Sequence, residues 1–221
     1  NFHIFYNILN GMKESDKSKY IINNKIKYNY LNNGLIKRND NVNDSEEYKI
    51  IINGLKKIGL SDNEIDYILR ITCSILNIGN IEYDEEGNII NNIQITFITE
   101  LLDIDRDKLL FTLTNRNLLV SNETITIKLN KEECIYTRDS LSMKLYNDLF
   151  NHVVYLINRS LKNNNETNNF IGILDIFGFE SIQKNSFEQL CINYTNENLQ
   201  NQFNKYIFKL EQDEYKKEKI N

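Results

Sequence analysis

The stretch that decides the fold is an apolar run that ends in an acid, Phe170-Ile171-Gly172-Ile173-Leu174-Asp175. A short, continuous apolar run of this kind is typical of a strand that is buried on both faces of an α/β sheet. The pattern therefore predicts a buried strand over residues 170–175. In open α/β sheets the ligands bind at the carboxyl ends of the strands, and this is where Asp175 lies.

The loop after this predicted strand, Ile176-Phe177-Gly178-Phe179-Glu180, places a glycine and a second acid close to Asp175. A carboxylate at a strand end can hold Mg²⁺ through a water molecule in a nucleotide hydrolase. The N–H of Gly178 can approach a terminal phosphate because glycine has no side chain. Glu180 can orient an attacking water or clamp a neighbouring loop. The motif alone is weak support, since a strand-end acid can equally cap a turn in which the glycine only makes the bend.

A long helix is predicted next, from Ser186 to Lys219. Ser186 and Gln189 have the spacing of a capping box, in which the two side chains satisfy free N–H groups at the helix start. At 1.5 Å per residue such a helix is about 45–50 Å long, which exceeds a typical globular helix.

Hydrophobic periodicity predicts a series of helices in the preceding part of the chain. Their predicted bounds are residues 2–12, 44–58, 61–79, 95–102, 105–114 and 137–161. Capping boxes are predicted where Asp44 precedes Glu47 and where Ser61 precedes Glu64. Polar stretches at 20–43, 82–92 and 163–169 are predicted loops. The fold class is therefore mainly α with a partial α/β element.

Between residues 118 and 129 the period of the apolar residues changes to two, which predicts strand structure. Threonine and isoleucine alternate over 124–127, and Ser121-Asn122 supply turn residues. This pattern predicts a β-hairpin that projects between helices.

Composition narrows the class of protein. Of the 221 residues, 41% are hydrophobic, which excludes a wholly disordered chain. The net charge of −5 gives no whole-chain basic character, so neither nucleic acid nor an anionic membrane is indicated as a partner. No apolar run reaches the length of a membrane span, and no signal-peptide pattern opens the chain. The chain opens in mid-pattern without Met, so we expect an interior piece of a longer protein.

Three cysteines, Cys73, Cys134 and Cys191, are widely spaced and form no C-x-x-C pair. Each lies beside apolar residues, which predicts reduced thiols in the core of a cytosolic protein rather than a disulfide framework. His3 and His152 are isolated in the sequence, and an isolated histidine is more often packed or solvated than catalytic.

The last quarter of the chain resembles the switch II loop and relay helix of the myosin motor domain. The resemblance is almost letter for letter over 175–180, 185–197 and 208–215. Weaker matches follow the family's order at 2–6, 75–82 and 138–146, and the weakest region is 13–43. The chain is thus similar to an incomplete myosin head, a motor of the P-loop NTPase type, with long helices, one buried strand and a β-hairpin.

This resemblance implies roles for the loop and the helix. Asp175 would help to hold the Mg²⁺ of Mg-ATP through a water molecule, and the Gly178 N–H would sense the γ-phosphate. Glu180 would pair with an arginine of switch I and close the site around the attacking water. The helix from Ser186 would carry the movement of switch II to the converter and lever arm, since a stiff helix amplifies a small tilt. A plain long core helix would show the same periodicity. The relay positions are Phe187, Asn196, Phe203 and Phe208.

The hairpin at 118–129 resembles the family's cardiomyopathy loop, which contacts the actin filament. Asn122, Glu123 and Thr124 would make this contact. Glu123 falls on the regulatory position of the loop, and an acid there matches members that need no activating phosphorylation. Its negative charge would face basic residues on actin, although an ordinary exposed turn glutamate would look the same in sequence.

The resemblance assigns residues 1–169 to the upper actin-facing subdomain, and residues 170–221 to a central-sheet strand, switch II and the relay helix. The whole protein would be a cytoplasmic, cytoskeletal motor that couples Mg-ATP hydrolysis to movement along actin filaments, with light chains bound outside this chain. The sequence contains neither the phosphate-binding G-x-x-x-x-G-K-[ST] motif nor the Asn-Ser-Ser-Arg of switch I. We therefore expect this stretch alone neither to bind ATP tightly nor to hydrolyse it.

Two other functions stay open from the sequence. One is a degenerate myosin-like protein that acts as a binding or scaffold module without ATPase activity. The other is an unrelated nucleotide hydrolase with a similar D-x-x-G-x-E switch, against which the match to the relay helix argues. Whether the coding sequence upstream contains the phosphate loop and switch I would distinguish the motor from the scaffold.

Overall fold

The structure is a computed structural model, and it describes residues 2–32, 42–121, 123–162 and 171–219. The chain forms two compact units, residues 1–164 and residues 165–221, which we describe separately.

The described part of the first unit consists of helices and one β-hairpin, joined by loops. Its elements, in chain order, are α1 (His3–Gly11), α2 (Glu14–Lys17), a 3₁₀ turn (Asn29–Leu31), α3 (Asp44–Lys57), α4 (Asp62–Gly79), α5 (Asn92–Leu102), α6 (Arg106–Thr114), β1 (Asn115–Val120), β2 (Glu123–Lys128) and α7 (Lys131–Leu161). The predicted mainly α fold with a hairpin is confirmed over these residues.

Helix α4 begins at the predicted capping box. The backbone N–H of Ser61 donates to Glu64 Oε2 at 2.8 Å, and the N–H of Glu64 donates to Ser61 Oγ at 3.3 Å. The cap predicted for α3 is wrong by one residue. Asn43, not Asp44, is the N-cap, since its Oδ1 accepts from the Ser45 N–H at 2.9 Å.

Helix α7 begins six residues before its predicted start at Thr137. Asn130 caps it, with its Oδ1 accepting from the Glu133 N–H at 3.0 Å while its own N–H donates to Glu133 Oε2 at 3.1 Å. Residues 131–133 are all charged, so hydrophobic periodicity does not mark this first turn, and the cap alone sets the start.

Two buried apolar clusters hold the first unit together, and α4 contributes to both. Leu76 of α4 packs in the first cluster with Ile8 of α1, and Ile78 packs in the second with Ile98 of α5 and Leu113 of α6. Helix α4 also packs against α7. Each fully buried Leu or Ile contributes roughly 1.5–3 kcal/mol by leaving water, so α4 is the centre of this unit.

The hairpin projects from this core. Its strands are antiparallel and in register, with Asn115 opposite Lys128 at the base and Val120 opposite Glu123 at the tip. Both strands are largely exposed, whereas Leu129, directly after β2, is buried. The orientation of the hairpin therefore depends on contacts at its base.

The buried strand predicted over 170–175 is wrong. Residues 171–175 form no strand, and their side chains are exposed, with Ile171 at 98% and Ile173 at 92%. Phe170 lies outside the described residues, as does the loop predicted at 163–169. A strand requires a neighbouring strand for its hydrogen bonds, and within the described ranges β1 and β2 pair only with each other. The described part of the apolar run therefore has no regular secondary structure and pairs with no described strand.

The described part of the second unit contains one helix, α8 (Phe187–Glu218), which follows the irregular segment 171–186. Ser186 is its N-cap, as predicted. Its 32 residues extend about 48 Å at 1.5 Å per residue, and none of them is buried. The predicted long, unbroken helix is confirmed.

The cysteines differ between the two units. Cys73 and Cys134 are buried in the first unit, as predicted for core thiols, but Cys191 is exposed on α8. The prediction for Cys191 is wrong. Its neighbours in sequence are apolar, but α8 buries none of its residues.

Candidate functional site

The loop 175–180 lies along α8 and is tied to it by side-chain amides. The first of these is Asn196, whose Nδ2 donates to the backbone carbonyl of Phe177 at 2.7 Å and to that of Ile192 at 2.9 Å. One amide thus joins the carbonyl directly before Gly178 to the helix backbone.

Asn193 holds the backbone of Glu180 from both sides. The N–H of Glu180 donates to Asn193 Oδ1 at 2.7 Å, and Asn193 Nδ2 donates to the Glu180 carbonyl at 2.8 Å. A paired contact of this kind fixes both distance and orientation, so the end of the loop cannot shift without moving Asn193 or breaking both bonds.

Gln189 joins the cap of α8 to the Glu180 side chain. Its Oε1 accepts from the Ser186 N–H at 2.8 Å and from the Ser186 hydroxyl at 2.7 Å. Its Nε2 donates to Glu180 Oε2 at 3.0 Å. The Glu180 carboxylate is therefore oriented by the first turn of the helix.

The three amides lie on one face of the helix because Gln189, Asn193 and Asn196 are spaced at i, i+4 and i+7. All three are half-buried, as is Glu180. The sequence indicated Asn196 as a relay position and Gln189 only as part of the helix cap, whereas Asn193 was missed. The signal that could have found Asn193 is this helical spacing of amides directly after a glycine loop.

Asp175 and Gly178 are both exposed, and neither the Asp175 carboxylate nor the Gly178 N–H is bonded to another described residue. A Cβ built at Gly178 would meet no atom within 4 Å. Packing in this chain therefore does not require glycine there. A carboxylate oxygen is the ligand type that Mg²⁺ prefers, and an unpaired N–H suits a phosphate oxygen, so the residues present fit Mg-ATP chemically.

Among the described residues, no further candidate metal ligands are grouped around Asp175. Over the described ranges, no three or more His, Cys, Asp or Glu side chains come together in a way that could hold a metal ion.

The predicted relay residues lie in different settings along α8. Asn196 bonds the loop, and Phe203 lines a groove of about 540 Å³ between α8 and the segment that contains Leu174 and Ile176. Phe187 and Phe208 are exposed and do not line this groove. The structure brings two of the four residues to the loop.

The predicted actin-contact residues lie at the tip of the hairpin. Glu123 and Thr124 are exposed at the start of β2, and Thr124 lies opposite Leu119, which is 75% exposed. Asn122 lies outside the described residues. The tip therefore presents an acid beside apolar and hydroxyl groups.

Comparison with known proteins shows the class to which this fold and loop belong. The family model described as "Myosin head (motor domain)" matches residues 1–221, so the chain belongs to the myosin motor-domain family. The chain is 40% identical over 229 residues to the "Myosin-I heavy chain" of Dictyostelium discoideum, with all of this chain and 10% of that relative covered.

Two further relatives agree. The chain is 39% identical over 231 residues to "Myosin-52" of Schizosaccharomyces pombe and 41% identical over 225 residues to "Myosin-1" of Pyricularia oryzae. The matches cover all of this chain, but only 15% and 19% of these relatives. The chain thus spans between a tenth and a fifth of the length of these curated relatives.

None of the described helices combines the length and the apolar composition needed to cross a bilayer.

Proposed function

We propose that this chain is the switch and relay portion of an actin-based cytoskeletal motor that couples Mg-ATP hydrolysis to movement along actin filaments. The observation that carries the proposal is the set of amide bonds from Asn193 and Asn196 to the loop at 177–180. These bonds connect a glycine loop with an open N–H to one end of a helix about 48 Å long. Such a connection suits a device that reports a bound phosphate over a distance.

In this proposal, each residue of the loop has its own chemical role. Asp175 would hold Mg²⁺ through a water molecule, and the ion would neutralise charge on the phosphate oxygens. The N–H of Gly178 would donate to the terminal phosphate of ATP. The exposed positions of both groups and the free space at Gly178 support this assignment.

Glu180 would complete the closed site by pairing with an arginine of switch I elsewhere in the motor. One of its carboxylate oxygens, Oε2, accepts from Gln189 Nε2 at 3.0 Å. Oε1 has no partner among the described residues and stays available for a cation. Gln189 would therefore hold Glu180 in a defined orientation before the arginine arrives.

The loop would move when the terminal phosphate binds or leaves, and α8 would follow through its amide bonds. A tilt of about 5° at one end displaces the other end of a helix of this length by about 4 Å. The predicted relay residues, Phe187, Asn196, Phe203 and Phe208, would pass this displacement to the converter and lever arm.

The first unit would supply the actin-facing surface. The exposed tip residues Glu123 and Thr124, with Asn122, would contact the filament, and the parent protein would be cytoplasmic. We assign residues 1–169 to the upper actin-facing subdomain, and residues 170–221 to the switch II and relay portion of a P-loop NTPase-type head. Light chains would bind the parent outside this chain.

The test of the proposal is Gly178→Ala in the longer protein that contains this chain. Alanine keeps the backbone N–H, but its methyl group would hinder closure of the loop on the terminal phosphate. We therefore expect ATP binding within about threefold of wild type and hydrolysis slowed by roughly 10²–10³-fold, the value of one correctly positioned N–H donor to developing charge. The methyl group meets no atom of the described residues within 4 Å, so folding should be unchanged. Gly54→Ala is the matched control, because a Cβ there also meets no atom within 4 Å.

The outcome separates the candidate functions. Normal hydrolysis by the Gly178→Ala protein would show that this amide is not the phosphate sensor. A wild-type parent that neither binds nor hydrolyses ATP would overturn the motor and favour the scaffold protein.

A further inference from the structure

The loop between α4 and α5, residues 82–91, is held together by hydrogen bonds between its own residues. We call it the acidic loop. Asp84 Oδ1 accepts from the N–H groups of Glu86 at 3.0 Å and Asn88 at 2.8 Å, and Asp84 Oδ2 accepts from Asn88 Nδ2 at 2.9 Å. Tyr83 pairs with Ile89 across the loop. These hydrogen bonds hold the pKa of Asp84 below its usual value, and the bond from the Asn88 side chain has the largest effect. The acidic loop is therefore a rigid turn.

Two lysines that flank Leu129 at the base of the hairpin reach this loop. Lys128 Nζ, at the end of β2, donates to Asn88 Oδ1 at 2.8 Å. Lys131 Nζ, at the start of α7, pairs with Glu85 Oε1. The acidic loop thus bridges the last residue of the hairpin and the first residue of the following helix.

Gly87 allows the close approach between the loop and the hairpin base. Its φ is +78°, and a Cβ built there would lie 2.3 Å from the carbonyl oxygen of Leu129 and 3.1 Å from Cys134 Sγ. The Cys134 thiol donates to the Gly87 carbonyl at 3.6 Å. Any side chain at this position would have to push the loop and the hairpin base apart.

The hairpin has few other described anchors. The Leu129 N–H donates to the Thr114 carbonyl at 2.8 Å, and Arg116 lies 3.8 Å from Glu133. Each strand is six residues long and mostly exposed, so the tip lies roughly 20 Å from the base. A small shift at the base would therefore swing the tip.

We infer that the acidic loop is a buttress that sets the direction of the hairpin, with Gly87, Asn88 and Lys128 as positioning residues for the partner contact made at the tip. The inference rests on the part of the proposed function that makes the hairpin tip an actin contact. The acidic loop itself need not touch the filament, since it acts through the base of the hairpin.

The test compares Gly87→Ala with Gly59→Ala in the longer protein. Gly59 has a similar φ of +88°, but a Cβ there meets no atom within 4 Å, so its substitution causes the same backbone strain without the clash. For Gly87→Ala we expect the KM for actin filaments in the ATPase assay to rise about tenfold, because a contact about 1 Å out of place is lost. The kcat at saturating actin should stay within about twofold, since a displaced tip weakens binding first. Gly59→Ala should change neither value.

A second readout needs no partner. Amide hydrogen exchange of the hairpin, residues 115–128, should be faster in Gly87→Ala than in Gly59→Ala. Equal exchange and equal KM in the two variants would overturn the buttress. Faster exchange with an unchanged KM for actin would instead overturn the hairpin as an actin contact, and with it that part of the proposed function.

A third variant covers the case in which Gly87→Ala does not fold. Lys128→Ala removes the bond to Asn88 without a steric clash, and we expect a smaller rise in KM, about threefold. Lys144→Ala is its control, since Lys144 pairs only with Asp148 on the exposed face of α7 at 2.8 Å. Equal KM values for these two lysine variants would also overturn the buttress.

Discussion

The two units of this protein are stabilised by different kinds of interaction. In the first unit, α4 lies between two apolar clusters, and side chains such as Leu76 and Ile78 are fully buried. In the second unit, α8 buries none of its residues, and the loop before it is held by three amide side chains. The first unit is fixed by non-directional packing, and the second by directional hydrogen bonds.

This difference bears on function. A core with little free volume has essentially one arrangement, so it suits a rigid platform for the hairpin. A loop held by a few amide bonds can move as one piece with its helix, because each bond fixes an orientation. The exposed apolar side chains of α8, including Phe203, Tyr206 and Phe208, form the kind of surface that packs against further structure.

The largest expected effect concerns the cysteines of the two units in the 221-residue protein. We expect a thiol reagent to label Cys191 at least about a thousandfold faster than Cys73, since a buried thiol reacts only after an opening that costs several kcal/mol. Burial also raises the pKa of the Cys73 thiol, which lowers its thiolate fraction. Mass spectrometry of labelled peptides measures both rates. Comparable rates would show that the first unit is not packed as described.

A core truncation tests the same contrast energetically. Leu76→Ala, at a fully buried site, should lower the free energy of unfolding by about 3 kcal/mol, within the usual range for such cavities. Leu190→Ala, at an exposed position of α8, should change it by less than about 0.5 kcal/mol. Urea unfolding followed by circular dichroism gives both values, and a large loss for Leu190→Ala would contradict the contrast.

The smallest effect compares the two capping boxes. Ser61→Ala should cost about 1 kcal/mol of unfolding free energy, because α4 is part of the cooperative core. Ser186→Ala should leave that transition unchanged and only reduce helical signal at the start of α8. If the two substitutions shift the urea midpoint equally, the second unit unfolds together with the first.

The sequence predicts best those features of the fold that depend only on residues close together in the chain. The Ser61–Glu64 box and the hairpin turn at Ser121 are local, and both predictions are confirmed. The start of α7 was missed because polar residues follow its cap at Asn130. The apolar sequence of residues 171–175 indicates only that burial would be favourable. A strand also needs a neighbouring strand, which no local sequence pattern supplies.

The residues of the candidate site also differ in how well the sequence predicts them. Asp175, Gly178 and Glu180 could be named from their motif and resemblance, because the chemistry of a switch loop requires those residue types. Asn193 was missed, and Gln189 was predicted only as a capping residue. An asparagine or glutamine on a helix has many uses, and only its partner reveals which one applies.

The most direct test of the central claim is whether α8 follows the loop through its amides. In the longer protein, a probe near Tyr215 should move by about 4 Å when ATP binds, for a tilt of about 5°. Replacing both Asn193 and Asn196 by Ala should reduce this movement to about 1 Å or less while ATP still binds, because the loop is then uncoupled from the helix. Asn198→Ala is the matched control, since Asn198 Nδ2 donates only to the Tyr194 carbonyl of its own helix, at 3.0 Å. An undiminished movement in the double variant would contradict the account.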